Sequence, residues 1–385
     1  MAKIQSVETL LVHLPTRREH MWTGLTEPIG RYLLVRITSD EGVIGWGEAP
    51  ALKDWGGEFG RYFGESASLS ETVIQNYLAP AIIDLEVGNI VEAHARMDSV
   101  IKGYPYSKAA LEIALYDVAA RTLNCPVHIL LGGRVRDKIP VTHSIGLLDI
   151  DVAEREAAIV AKEGIKTIKI KVGVDPQRDV EIVQRIRDAV GPGVSLCVDA
   201  NEGYKTPGEA IKTIRKMEYC DLIYVEQPVS GIERNAQVAR SIDTPLMLDE
   251  SAWNSHDVIQ IIEARAAEIV SIYTTKPGGL LRAMEVAAVC RAAGIICNVN
   301  GSVETGVGNL ANLQLAAAAP SVVLSCVVPV STPAEQQNGQ IAGIYYADDL
   351  ITEAMSFVDG AIELPNGPGM GIDIDLAKIE KFKVA

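Results

Sequence analysis

The 385-residue chain is 48% hydrophobic and only 22% charged, enough apolar material for a sizeable core and too much for a disordered protein. Its formal net charge of −15 argues against the basic face of a nucleic-acid binder. No run of about 18 uncharged apolar residues marks a membrane span. The N-terminus "MAKIQSVETLLVHLP" lacks a signal-peptide core, and six scattered cysteines without a CxxC pair read as free thiols, so a cytoplasmic protein is expected.

The chain begins with strand patterns, "IQSVETLLVHLP" (4–15) and "RYLLVRITSDEGVIGWGEAP" (31–50), the second turning at Asp40–Glu41–Gly42. Two loops follow these strands, "TRREHMWTGLTEPIG" (16–30) and "ALKDWGGEFGRYFGES" (51–66). Helical spacing then marks 70–83, 89–100 and 107–123. A meander followed by helices predicts a separate α+β domain.

From about residue 139 short apolar strands alternate with helices. The strands are "IPVTHSIG", "TIKIKV", "VSLCVDA", "LIYVEQP", "PLMLDES", "EIVSIYT", "IICNVNG" and "VVLSCVVP". Repeated βα units of this kind predict a closed parallel barrel. A doubly wound open sheet is the competing reading, but no glycine-rich phosphate loop follows the first strand.

Barrel chemistry sits at the carboxyl ends of the strands. Strands three, four and five end in Asp199, Glu226 and Asp249. Three carboxylates converging on one mouth repel one another, and a divalent cation relieves this; hard oxygen donors with open positions suit Mg²⁺. Independent solvated acids are the alternative. Strand two, "KTIKIKVG", sends Lys169 and Lys171 to one face, since residues two apart point the same way. Facing the acids, Lys171 reads as a general base nearest the mouth. Lys169 reads as a neighbour that lowers its pKa and touches the substrate carboxylate. A purely structural ion network is the other reading.

These residues resemble the enolase superfamily, in its mandelate-racemase and muconate-lactonizing-enzyme part. Lys169-x-Lys171, "VDAN" with Asp199 and Asn201, "EQP", "LDES", "KPGGL", "NGSVETGVG" and "PNGPGMGIDID" carry the resemblance. It implies an α/β fold, a modified TIM barrel (β/α)₇β over 134–355. An N-terminal α+β capping domain would span 1–133, and a C-terminal segment, 356–385, would return to the cap. It also implies Mg²⁺ on Asp199, Glu226 and Asp249, a small carboxylate substrate that loses its α-proton, and a homo-oligomer, dimeric or octameric.

The pattern departs from its relatives on the far side of the site. Tyr273 aligns where the muconate-lactonizing branch has a second lysine, Lys276 follows three residues later, and strand seven offers Asn298 and Asn300 but no histidine. One strong base favours β-elimination of water over racemisation, with cycloisomerisation still open, and Tyr273 would be the opposite-face acid. In the loops, His20, Met21, Trp22, Asp54, Trp55, Glu58 and Tyr62 are expected over the substrate, the tryptophans either receiving a cationic nitrogen or packing. This loop character resembles a cis-3-hydroxy-L-proline dehydratase branch. Asn201, Lys276 and Glu304 complete the expected substrate contacts, a helix cap being the alternative for Glu304. A barrel kept only for binding or structure is the remaining reading.

Overall fold

The computed structural model describes residues 2–50, 52–57, 64–301 and 303–384. Glu58 and Tyr62 of the second loop therefore lie outside the described residues.

Strands β1 (Ile4–His13), β2 (Arg31–Ser39) and β3 (Ile44–Ala49) form an antiparallel meander. The β2–β3 turn closes with the Gly42 amide donating to the Ser39 carbonyl at 2.9 Å. The helix expected at 70–83 is α1 (Ala67–Val73), a π-helical turn (Ile74–Leu78) and α2 (Ala79–Ile82). Ala79 bonds back to the Ile74 carbonyl, five residues away, just before Pro80, which has no amide hydrogen to continue the ladder. Helices α3 (Ile90–Val100), α4 (Pro105–Thr122) and α5 (Val127–Leu130) complete this part.

The alanine-rich α4 lies directly on β3 at two glycines. A Cβ on Gly47 would stand 2.0 Å from the Ala110 carbonyl oxygen, and one on Gly45 would stand 2.4 Å from that of Ala114. Backbone cannot yield as a side chain can. Gly47→Ala is therefore expected to cost about 2–3 kcal/mol by overpacking. In urea the midpoint should fall while the m value holds; an unchanged midpoint would mean α4 is free to shift.

The first barrel strand expected from sequence is split at Val141. Its front, β4 (Lys138–Pro140), pairs antiparallel with a C-terminal hairpin of β12 (Phe357–Val358) and β13 (Ala361–Glu363). Its rear, β5 (Thr142–Ile145), opens a parallel sheet with β6 (Thr167–Lys171), β7 (Ser195–Asp199), β8 (Leu222–Glu226), β9 (Leu246–Leu248), β10 (Ile269–Ile272) and β11 (Ile296–Val299), in sequence order. Helices α6 (Ile150–Lys162), α7 (Pro176–Val190), α8 (Pro207–Ile214), α9 (Ile232–Ala239), α10 (Ser255–Ala264), α11 (Leu280–Ala293) and α12 (Gly306–Ala318) follow these strands in turn.

The eighth expected strand, 322–329, forms no ladder. It closes the barrel by single parallel bridges, Cys297↔Val322 and Asn300↔Val327 on one side and Val141↔Cys326 on the other. The amides of Val323 and Leu324 both donate to the Cys297 carbonyl, at 3.0 and 3.2 Å, so the chain bulges there and cannot keep register. The fold is thus a modified TIM barrel with a separate N-terminal strand-and-helix domain. The last helix, α13 (Leu376–Phe382), ends beside β1, where the Val384 amide bonds the Leu11 carbonyl at 2.9 Å.

Two carboxylates of the N-terminal domain dock on barrel helices. Glu112 of α4, fully buried, accepts from the amides of Leu280 (2.5 Å) and Leu281 (2.8 Å) at the start of α11. Glu48 of β3 accepts from Thr305 (3.0 Å) and Gly308 (2.9 Å) at the start of α12. At each contact the orphan amides at a helix start find their acceptor in a carboxyl oxygen of the N-terminal domain. No helix among the described residues is long and apolar enough to cross a membrane.

Candidate active site

The parallel register sets three chemical groups abreast. Lys171 is the Cα partner of Asp199, and Asp199 is the partner of Glu226. Two residues earlier on their strands, Cys197 and Tyr224 join Met247 and Ile269 in a small buried cluster. This cluster lies beneath the polar mouth, level with Lys169, the Cα partner of Cys197. All six cysteines are free, Cys125 half-buried and the others buried.

Counting donors separates the lysines. Lys171 donates to Asp199 Oδ2 and Asn201 Oδ1, both at 2.7 Å, and lies 5.6 Å from the centre of the Trp22 ring. An ammonium has three hydrogens, so one position of Lys171 is not spent on these acceptors. Lys169 lies between Glu226 Oε2 at 2.7 Å and Asp199 Oδ2 at 3.4 Å. Burial works against its charge, but Glu226 and Asp199 outweigh burial and hold its pKa above the ordinary lysine value. Acids stand beside both lysines, and Lys169 stays a cation.

The acids respond in kind. Burial raises the Asp199 carboxyl, but Lys171 and Lys169 prevail and it titrates below its usual range. Glu226, raised by burial and by Asp199, is pushed up to about 8 in spite of Lys169. Among the described residues no three His, Cys, Asp or Glu side chains stand as a ready cation cage. Asp199, Glu226 and Asp249 each pair with a lysine instead.

On the facing side Lys276 is saturated. Its Nζ donates to Asp249 Oδ1 (2.6 Å), the Asp249 carbonyl (2.9 Å) and the Ser271 carbonyl (2.9 Å), which uses all three hydrogens. Lys276 stands behind Asp249, off the cavity wall, in place of the expected reach toward substrate. The Tyr273 hydroxyl donates to Asp249 Oδ2 at 2.8 Å, and its ring lies 5.2 Å from Trp55. Burial, then Asp249, drives its phenol well above the usual tyrosine range. Asn298 donates to Asn300 at 2.8 Å, and Asn300 donates to Glu226 at 2.9 Å.

A cavity partly open to solvent joins these groups. Lys169, Lys171, Asp199, Asn201, Tyr273, His20, Trp22 and Trp55 line it, whereas Glu226, Asp249 and Lys276 lie just behind its wall and Glu304 is buried behind Gly301 of that wall. Thr305, not Glu304, caps α12 through its hydroxyl. The first loop is tied down where Thr23 donates to the Val172 carbonyl at 3.2 Å, and Thr26 clasps Asp54 of the second loop at 2.6 Å. Trp22 faces the ammonium of Lys171, and Trp55 stacks on protein rings and donates to Glu250 at 3.3 Å. Intramolecular partners thus occupy both tryptophans expected to meet a substrate nitrogen.

Three groups escaped the sequence reading. Glu250 accepts from Asn201 at 2.8 Å, and burial followed by Asp249 sets its carboxyl well above the usual range. Only its place after Asp249 in "LDES" pointed to it. Ser144 and Tyr345 line the cavity, with no motif around either in the sequence.

Comparison with known proteins agrees with this geometry. Residues 7–132 match the mandelate racemase/muconate lactonizing enzyme N-terminal domain, and residues 151–378 match the enolase C-terminal domain-like family. N-succinyl-L-Arg/Lys racemase of Bacillus cereus is 32% identical over 316 residues, 82% of this chain and 84% of its own. Muconate cycloisomerase 1 of Rhodococcus opacus is 29% identical over 385 residues, 98% of each chain. The muconate lactonizing enzyme of Pseudomonas fluorescens, solved with muconolactone, superposes with a TM-score of 0.90 at 27% identity over 100% of both chains. With both domains matched and the strand-end acids and lysines in register, the chain belongs to the mandelate racemase/muconate lactonizing enzyme family of the enolase superfamily and is an enzyme.

Proposed function

We propose that this enzyme moves a proton on one face of the carbon α to a small acid's carboxylate, with Lys171 as the acid/base. We further propose an isomerisation of the cycloisomerase type. The observation that supports this reading is the asymmetry of the cavity. Lys171 keeps an unspent position on one side; opposite it stand a neutral buried phenol and the saturated Lys276.

In the ring-forming direction a carboxylate oxygen of the substrate adds to the β-carbon. The displaced electron pair moves onto the α-carbon and its carboxylate, and the Lys171 ammonium delivers its proton to the α-carbon. In reverse the Lys171 amine takes that proton, and the ring C–O electrons leave with the carboxylate. Lys169, held as a cation, faces the charge on the reacting carboxylate.

Racemisation, named for the Bacillus relative, needs a second acid/base on the other face. Neither Tyr273 nor Lys276 is suited to it. Dehydration uses the same one-face step, but the relatives compared are isomerases by name, so isomerisation replaces the expected loss of water. The hydroxyproline dehydratase resemblance finds no support in them.

Fit to a divalent cation rests on crowded carboxyls. Asp199, Glu226, Asp249 and Glu250 are buried together, burial and the neighbouring acids push Glu226 and Glu250 above the usual range, and Glu250 Oε2 has no hydrogen-bond partner. Asp199, Glu226 and Asp249 would hold Mg²⁺ through hard oxygen donors. When bound, it would supply positive charge beside the substrate carboxylate as negative charge builds there. Assembly as a dimer or octamer, implied by the resemblance, is part of the proposal, and light scattering tests it.

The deciding experiment follows deuterium uptake by NMR over a panel of lactones, unsaturated diacids and N-acyl amino acids in D₂O with Mg²⁺. One-face uptake linked to ring opening or closure is the expected result; two-face uptake would overturn the reading. Tyr273→Phe should keep one-face uptake within about tenfold, since the phenol is not a base here. A loss of more than about a hundredfold would make Tyr273 an essential acid.

A further inference from the structure

We propose that Arg18 is a positioning residue that fixes the tautomer of His20, so that the cavity presents a His20 Nε2–H donor to a second acceptor group on the substrate.

The contacts run from a barrel helix to the first loop. Glu156 of α6 accepts from Arg18 Nη2 at 2.6 Å and from His143 Nε2 at 2.8 Å. His143 Nδ1 accepts the Gly343 amide at 3.0 Å, so its proton sits on Nε2 and points at Glu156. Arg18 Nη2 also donates to the Ser144 carbonyl at 3.1 Å. The guanidinium plane is therefore anchored on the barrel. Its other nitrogen, Nη1, lies 3.1 Å from His20 Nδ1. A guanidinium has no lone pair to offer, so His20 Nδ1 must be the acceptor, and a neutral ring then carries its proton on Nε2.

The ring is held in place and kept uncharged. Its centroid lies 5.0 Å from that of Tyr345, edge to face. Burial, then Arg18, Lys171, His143 and Lys169, hold the imidazole well below its usual pKa. His20 lines the cavity with Lys169 and Lys171. A wall with a neutral N–H donor beside two lysines suits a carboxylate or carbonyl oxygen and disfavours an ammonium. The substrate class is thus an acid whose second polar group is an acceptor. This recognition half rests on the proposed reaction; the tautomer does not.

Histidine-¹⁵N protein gives the test by long-range ¹H–¹⁵N NMR, with His20 assigned from its absence in His20→Gln. Wild type should show His20 protonated on Nε2 only, and Arg18→Met should show a mixture of tautomers. Wild-type His20 protonated on Nδ1, or an Arg18→Met variant with the wild-type pattern and dispersed amide signals, would overturn the positioning role. Because the spectrum needs no turnover, failure of the proposed reaction is told apart from failure of this inference. For recognition, the probes are muconate and the hexadienoate of the same double-bond geometry, which lacks the second carboxylate. Wild type should bind muconate about tenfold more tightly, the worth of one hydrogen bond. Arg18→Met should lose most of that preference. Equal binding in wild type, absence of binding, or a preference untouched in Arg18→Met would overturn the recognition half.

Discussion

Replacing Lys171 by alanine is expected to abolish turnover and α-proton exchange together. A positioned base is worth about 10²–10⁴-fold, and no other lysine can substitute. Lys276 has spent its three hydrogens, and Lys169 is held as a cation between Glu226 and Asp199. The check is deuterium uptake at the α-carbon, with Mg²⁺ affinity measured by calorimetry on the same variant. Retained uptake with retained metal binding would mean the base is misassigned. Lys169→Ala should differ in kind, weakening carboxylate binding and leaving Glu226 and Asp199 less compensated.

The largest expected loss of stability lies at the domain contact. Glu112→Ala leaves the amides of Leu280 and Leu281 without their acceptor and strips His94 Nε2 of a partner 3.2 Å away. Each buried donor left unpaired costs about 1–3 kcal/mol, so a total of about 3–5 kcal/mol is expected. Differential scanning calorimetry would show it as a fall in melting temperature or as separation of the two domains into two transitions. Glu112→Gln keeps one acceptor oxygen and should recover about half. A silent Glu112→Ala would mean that water reaches the start of α11.

Sequence by itself determined which groups meet at the candidate site. Strand alternation put Lys169 and Lys171 on one face, and the repeat of βα units put Asp199, Glu226 and Asp249 at neighbouring strand ends, because both follow from local periodicity. That Tyr273 stands where a second lysine was expected came from the resemblance, by aligning on Gly278 and Gly279. What tertiary structure decided involves partners far apart in the chain. Whether Lys276 is free depends on Asp249 and Ser271, the tautomer of His20 depends on Arg18 and its anchor Glu156 of α6, and the two loop tryptophans turn toward Lys171 and toward rings near the barrel mouth. The eighth strand was misread because its composition is that of a strand, while its bulge at Val323 and Leu324 comes from sharing one carbonyl of β11. Hydrogen-bond capacity is finite, and only the folded chain shows which donors and acceptors are already taken.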